Sequence, residues 1–255
     1  MLAACQPGSQ TRSEARRTAT RSEVQAAYRP PPTIVSVTRE ADGRLRLDGA
    51  ADPGVHVRLA APAGAVALAR ADAAGRWRAS LPPSDELRLL GLSMNEQGRP
   101  IQSQGYLAVA PNGAAAQLRP GAGALTIGPV GHGPALLALD FDRRGAVVVT
   151  ARASPGTPVD ILVDGTTAAR AAPDPGGRIS VDLSAPLRPG RHVLSLVQGA
   201  ARVSQDAILP DLPTPVAGPY QARRLGSAWF VDWTTPAGGV QGTLLFDDAR
   251  AGARA

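Results

Sequence analysis

One pattern occurs twice in this chain, and the two copies stay in step. The first runs from Ala50 to Leu81: Ala-Ala-Asp-Pro53-Gly54, an alternating stretch, then Asp72-Ala-Ala-Gly75-Arg76-Trp77 and Leu81. The second reads Ala153-Ser-Pro155-Gly156, another alternating stretch, then Asp174-Pro-Gly-Gly177-Arg178-Ile179 and Leu183. Each matched pair, from Pro53 with Pro155 to Leu81 with Leu183, is separated by 102 positions, as are Gly43 and Gly145, Val57 and Val159, Ser93 and Ser195, and Pro111 and Pro213. Two ungapped copies of one pattern imply two copies of one fold.

Each copy reads as a series of short strands. Ile34-Val-Ser-Val37 is followed by a polar turn ending at Gly43, then by the alternating Leu45-Arg-Leu47-Asp. Asp52-Pro53-Gly54 is a turn, because Pro presets φ for a central position and Gly accepts positive φ. Val55-His-Val57-Arg-Leu59 alternates again, and Asp72-Ala-Ala-Gly75 makes a second turn before Arg76-Trp77-Arg78-Ala-Ser-Leu81. About seven such strands fit in under about a hundred residues with no long helical period. The fold class predicted is all-β: two tandem sandwiches, each burying one face of each sheet against the other. Val57, Leu59, Trp77 and Leu81 are the expected core of the first copy, and Val159, Ile161, Ile179 and Leu183 that of the second.

Pro-Gly, then Val-x-Val/Ile/Leu, then Ala-x-Asp-x-x-Gly-x-Trp-x-x-x-Leu resembles the bacterial immunoglobulin-like repeats of envelope and adhesin proteins. The resemblance implies that Trp77, after the Asp72–Gly75 turn, packs in the sandwich core. The second copy departs from it at Ile179. Such a resemblance speaks to fold more than to function.

The N-terminus carries a second resemblance. Leu2-Ala3-Ala4-Cys5 is similar to a lipobox, the site at which bacterial lipoproteins are cleaved and acylated on cysteine. Only Met1 precedes it, so either a signal peptide begins upstream or the match is accidental in an Ala-rich chain. We adopt the first reading, because Cys5 is the sole cysteine and a tether follows it. Lipidation of Cys5 implies a membrane anchor, worth about 0.8 kcal/mol per buried acyl methylene. Gln6 in place of Asp implies sorting to the outer membrane, with the body in the periplasm. Residues 6–32 are polar and Arg-rich and end in Arg29-Pro-Pro-Pro32, the composition of a spacer stiffened at its end. All 27 basic residues are Arg, and the formal net charge is +6. No nucleic-acid-binding motif accompanies that charge, so no nucleic-acid partner is expected.

The organisation expected is thus a truncated signal peptide and lipobox over 1–5, a tether over 6–32, a sandwich over 33–111, a linker over 112–134, a second sandwich over 135–213, a C-terminal aromatic hairpin or meander over 214–246, and a polar tail over 247–255. In the hairpin, Trp229, Val231 and Trp233 share one face by the two-residue period. That face either packs on the second sandwich or stays exposed. If exposed, Tyr220, Trp229 and Trp233 would stack on sugars or dock a partner, with Arg223 and Arg224 taking acidic groups.

No catalytic constellation converges. His56, His132 and His192 have no paired ligand spacing, and there is no Gly-x-Ser-x-Gly elbow and no phosphate-binding loop. Asp140-Phe-Asp142-Arg-Arg-Gly145 reads as a turn, since it lacks the remaining oxygen ligands of a calcium loop. The expectation is a non-enzymatic envelope lipoprotein without cofactor or metal, serving as a structural or interaction stalk for an envelope protein. The alternative is a peptidoglycan-binding module working through the hairpin.

Overall fold

The computed structural model describes residues 29–247 apart from 63, 65, 97, 129–132, 213–217 and 236. Cys5, His132 and most of the tether lie outside the described residues. The first half contains β1 (Thr33–Arg39), β2 (Leu45–Ala50), β3 (His56–Ala60), β4 (Val66–Arg70), β5 (Arg76–Leu81), β6 (Arg88–Glu96), β7 (Arg99–Gln102), β8 (Tyr106–Val109), β9 (Ala115–Leu118) and β10 (Leu125–Ile127). The second contains β11 (Ala135–Asp142), β12 (Val147–Arg152), β13 (Val159–Val163), β14 (Thr166–Ala171), β15 (Arg178–Asp182), β16 (Gly190–Gln198) and β17 (Ala201–Leu209). Three further strands close the chain: β18 (Tyr220–Leu225), β19 (Ala228–Thr234) and β20 (Val240–Phe246). Among the described residues there is no helix.

Both halves are immunoglobulin-like sandwiches with one connectivity. In the first, β1-β2-β5 faces a sheet ordered β10-β9-β8-β6-β3-β4, with β7 also pairing β6. In the second, the order β11-β12-β15 repeats β1-β2-β5, and β14-β13-β16-β17 repeats β4-β3-β6-β8. Alternation places the cores. Along β5 every second residue is buried, so Trp77, Ala79 and Leu81 point inward while Arg76, Arg78 and Ser80 face solvent. Val57, Leu59, Trp77 and Leu81 join Leu45, Leu47, Leu90 and Leu92 in one core, as expected. Val159, Ile161 and Ile179 are buried in the other, and Leu183 packs against it half-buried.

The duplication extends to hydrogen-bond register. Thr33 pairs Ala50 and a bulge follows Ile34; Ala135 pairs Arg152 and a bulge follows Leu136. The turn before β5 is built identically twice. The Gly75 N–H donates to the Asp72 carbonyl at 2.9 Å and the Gly177 N–H to the Asp174 carbonyl at 2.8 Å. Both glycines have positive φ, +76° and +77°. A Cβ there would lie 2.5 Å from the Ala51 carbonyl oxygen or 2.7 Å from that of Ala153, so no other residue fits.

The copies do not stay in step everywhere. Leu59 pairs Leu92, but Ile161 pairs Leu196, two residues beyond the equivalent Leu194. A shift of two leaves each side chain on its original face, so the core survives. The tight β13–β14 turn, Asp164-Gly165, accompanies this shift. Asp164 has φ 50° and Gly165 φ 85°, the geometry of a two-residue hairpin loop with both central residues left-handed.

That turn is tied to β16 by charge. One Asp164 carboxylate oxygen accepts from the Val193 N–H at 2.8 Å, and the other lies 2.8 Å from His192 Nδ1. His192 Nε2 lies 2.9 Å from the Arg188 carbonyl oxygen. Both ring nitrogens face acceptors, so only the imidazolium can donate to both. Burial disfavours that charge, but the Asp164 carboxylate and the Arg188 carbonyl outweigh it and raise the His192 pKa above 6.5. The Val193 N–H, then His192, lower that of Asp164 below 3.8. A raised histidine pKa stabilises the fold fully below the unfolded value and ceases to do so as pH rises through the folded one. A lowered carboxylate pKa acts above its unfolded value and fails as pH falls. The stability lost in His192→Ala, measured by urea unfolding, should therefore be greatest between about pH 4 and 6.5 and shrink on either side.

Residues 112–134 and 214–246 depart from expectation. The predicted linker supplies β9 and β10, which extend the larger sheet of the first sandwich. Its run Ala115-Ala116-Gln117-Leu118 carries little β propensity, and pairing with β8 overrides that. Of the expected hairpin or meander it is the three-stranded meander that forms, and it is not a unit of its own. β20 pairs β11, so β20, β19 and β18 continue the β15-β12-β11 sheet of the second sandwich. An isolated hairpin is marginal in water, and a sheet edge completes it.

Candidate functional site at the joint between the sandwiches

The extended sheet is covered on both faces. Along β19, Ala228 and Phe230 enter the core of the second sandwich. Trp229, Val231 and Trp233 point the other way and form a third core with Leu87, Leu89, Ala108, Ala110, Ala116, Leu118, Ala124 and Ala138. Those partners come largely from β6, β8 and β9, that is, from the outer face of the first sandwich. The aromatic face thus packs on the first sandwich, not on the second. Trp233 is 0% exposed and its ring meets Tyr106 edge-on, with centroids 5.8 Å apart.

A buried polar cluster pins this contact. Asp140, on β11, is 2% exposed. Its Oδ1 accepts from Thr243 Oγ1 at 2.6 Å and from Gln241 Nε2 at 3.2 Å, and its Oδ2 accepts from the Ala124 N–H at 2.7 Å. Thr243 Oγ1 in turn accepts from Trp233 Nε1 at 3.2 Å. Burial raises the Asp140 pKa, against the Thr243, Ala124 and Gln241 hydrogen bonds and the Arg119 charge. The same side chains satisfy the backbone that connects the sandwiches. Gly121 N–H donates to Gln241 Oε1 at 3.2 Å, and Thr150 Oγ1 donates to the Ala124 carbonyl at 3.0 Å. Arg119 donates to the carbonyls of Gly123 and Ala122, closing the turn on itself. A buried carboxylate with three donors is costly to disturb, because each orphaned donor loses a partner in a dry site. The connection is therefore a fastened splice rather than a free linker.

The residues singled out in the sequence are divided by this arrangement. Trp233 and Trp229 lie in the joint, so the aromatic strip they would offer a polysaccharide is not exposed. The outer face of the neighbouring sandwich supplied the apolar surface that covers them. Tyr220 and Ala222 pack half-buried against the same core. Arg223 and Arg224 stay at the surface on the outermost strand, β18, and lie over aromatic rings. The Arg223 guanidinium sits 4.5 Å above the Phe230 ring and that of Arg224 4.5 Å above the Trp229 ring. Arg224 also pairs with Asp247 at 2.8 Å, and Asp247 accepts from Asn112 of the first sandwich at 3.4 Å. Charged side chains on an outermost strand also discourage uncontrolled edge pairing.

Asp140, read from the sequence as the start of a turn, is instead a buried residue of β11, where pairing with β12 and β20 carries the strand through it; Thr243, Gln241 and Tyr106 were not singled out. The run Leu136-Leu137-Ala138-Leu139 carried a signal, since unbroken apolar residues mark a strand buried on both faces. Its first-copy counterpart, Ile34-Val35-Ser36-Val37, is broken by a polar residue. Asp142, by contrast, is the turn former expected: its Oδ1 accepts from the Arg144 and Ala146 N–H groups at 2.8 and 3.0 Å. His56 is exposed on β3. No group of three or more metal-ligating side chains forms among the described residues.

Strand order and pairing define the class: an all-β protein of tandem immunoglobulin-like sandwiches joined by a buried splice. No protein-family model matches the chain, and no curated protein matches it in sequence. Among solved structures it is similar to the central fibronectin-III array of RIM-binding protein, at 13% identity and a TM-score of 0.28, covering 82% of this chain and 74% of that one. It is also similar to the BSP domain of a biofilm associated protein, at 12% identity and 0.25, covering 72% of this chain and 30% of that one. The adhesin InvE of Yersinia pseudotuberculosis matches at 14% identity and 0.23, covering 78% of this chain and 66% of that one.

Proposed function

We infer that this chain is a non-enzymatic structural unit of a bacterial envelope, anchored by lipid on Cys5 and holding two sandwiches in a fixed mutual orientation for a protein partner. The observation that carries the reading is the joint. Beads meant to move independently need only a short polar connection, whereas here Trp233 and Tyr106 bury the contact and the Asp140 cluster hydrogen-bonds the backbone at Gly121 and Ala124. A fixed pair of sandwiches can set a distance and present an edge or loop surface at a defined angle. The Arg-rich residues 6–32 would give the anchored body reach over an anionic surface.

The anchor is tested by expressing the chain behind an export sequence in a Gram-negative host grown with labelled palmitate. The wild type should incorporate label and fractionate with membranes, and Cys5→Ala should do neither. Unlabelled wild-type protein in the soluble periplasmic fraction would overturn the anchored reading.

A further inference from the structure

One sheet edge is guarded in the first sandwich and open in the second. β7 and the start of β17 are the same strand twice: Asn95 pairs Pro100 and Ser93 pairs Gln102, as Val197 pairs Arg202 and Ser195 pairs Ser204. Pro100 has no N–H to offer an incoming strand, and β7 ends two residues later. The second copy has Arg202 in that place, and β17 runs unbroken through Leu209. β17 ends its sheet, so no strand pairs its outer side among the described residues. Ala201, Arg202, Ser204 and Asp206 are exposed along it.

The hydrogen bonds of Val193 fix which backbone groups of β17 face outward. Val193 stands opposite Asp206 and turns both of its own groups the other way: its N–H donates to Asp164 Oδ1 at 2.8 Å, and its carbonyl accepts from the Asp164 N–H at 2.9 Å. The Val193–Asp206 pair therefore exchanges no bonds, and the N–H and carbonyl of Asp206 point away from β16. Alternation gives Ser204 and Arg202 the same direction. Arg202 donates to Ser195 Oγ at 3.2 Å, and the Asp206 carboxylate lies 3.6 Å from Arg191 in a largely exposed pair. The facing sheet decides what fits beside them. β14 lies by β15 and β17 by β11, and β20, β19 and β18 carry the β11 sheet on beyond β17. Ala228 and Phe230 of β19 face inward there. An added strand finds a floor on this overhang. A second copy docked edge to edge would bring its own β18–β20 into the same space.

We propose that β17 takes up an extended segment of a partner protein as one more antiparallel strand, with an acidic residue opposite Arg202 and, four residues earlier in that segment, a basic one opposite Asp206. Main-chain hydrogen bonds to Arg202, Ser204 and Asp206 supply affinity, and the two opposite-charge pairs set register and direction. The inference rests on the partner half of the function proposed above and not on the Cys5 anchor, so its failure leaves the labelling result standing.

The test is titration of the full chain with the end-blocked peptide Thr-Arg-Val-Thr-Val-Glu-Val-Thr, followed by the backbone amide signals of Arg202, Ser204 and Asp206. Those signals should move and their hydrogen exchange should slow, with Kd on the order of 100 µM. The same peptide with its Arg and Glu interchanged sets like charges opposite each other and should bind at least about tenfold more weakly. Arg202→Pro copies the guard of the first sandwich, where Pro100 is accommodated in the same register, and should weaken binding by at least about tenfold. Arg202→Asp combined with Asp206→Arg should reverse the order of the two peptides, a gain that a misfolded chain does not show. Unmoved amide signals at millimolar peptide would overturn the proposal. So would equal binding of the two peptides, full binding to Arg202→Pro, or an unreversed preference in the doubly substituted chain.

Discussion

Trp233→Ala is expected to lower stability by about 3–5 kcal/mol and to split one cooperative unfolding transition into two. The loss follows from burial, since no larger side chain in the molecule is so completely enclosed. The split follows from position. Each sandwich has its own core, and Trp233 belongs to neither. It belongs to the third cluster, where it touches Tyr106 of the first sandwich and donates to Thr243 of the second. Removing it deletes the contact that couples the halves while leaving both cores whole. Trp233→Phe keeps one aromatic ring but loses the N–H and part of the indole volume, so it should cost about 1 kcal/mol beyond the change in packing and retain the single transition. Differential scanning calorimetry reads both outcomes. A single, unshifted transition in Trp233→Ala would remove the tryptophan from the coupling.

Gly49→Ala is expected to cost about 3 kcal/mol, although it adds one methyl group. A Cβ at position 49 would lie 2.3 Å from the Trp77 ring and 2.3 Å from the Thr33 carbonyl oxygen. Gly49 and Trp77 stand opposite each other across β2 and β5, and the equivalent pair in the second sandwich is Ala151 and Ile179. The small-large pairing is thus kept twice with different members. Trp77→Ile alone should also cost about 3 kcal/mol, through the cavity it leaves. The double variant, Gly49→Ala with Trp77→Ile, rebuilds the second copy's pair in the first. It also removes the Trp77 Nε1–H, which has no acceptor in its core. It should fall short of the sum of the single losses by about 2 kcal/mol in a urea-unfolding cycle. Additive losses would mean that the two residues do not share one space.

This pair shows how legible the molecule was. The Trp-to-Ile departure at Ile179 reads in isolation as a weakened match. Paired across the strand with Ala151 in place of Gly49, it is a compensated change, and cross-strand pairing is invisible until register is known. Both sandwiches and the Asp72–Gly75 and Asp174–Gly177 turns were readable, because alternation and turn chemistry are local. The joint was not, because it is made of residues far apart in the chain: Ala124 with Asp140, Asp140 with Thr243, and Tyr106 with Trp233. The period of two placed Trp229, Val231 and Trp233 on one face correctly. It carried no information on which neighbour would cover that face. The two-residue shift of β13 against β16 was equally hidden, since an even shift preserves the apolar pattern.

The claim that most else depends on is that the two sandwiches hold one orientation in solution. Residual dipolar couplings from backbone amides of both sandwiches, measured in one alignment medium, test it directly. We expect a single alignment tensor to fit the couplings of β1–β9 and of β11–β20 together. Two tensors of different magnitude or orientation would show that the halves move independently and would contradict the fastened joint.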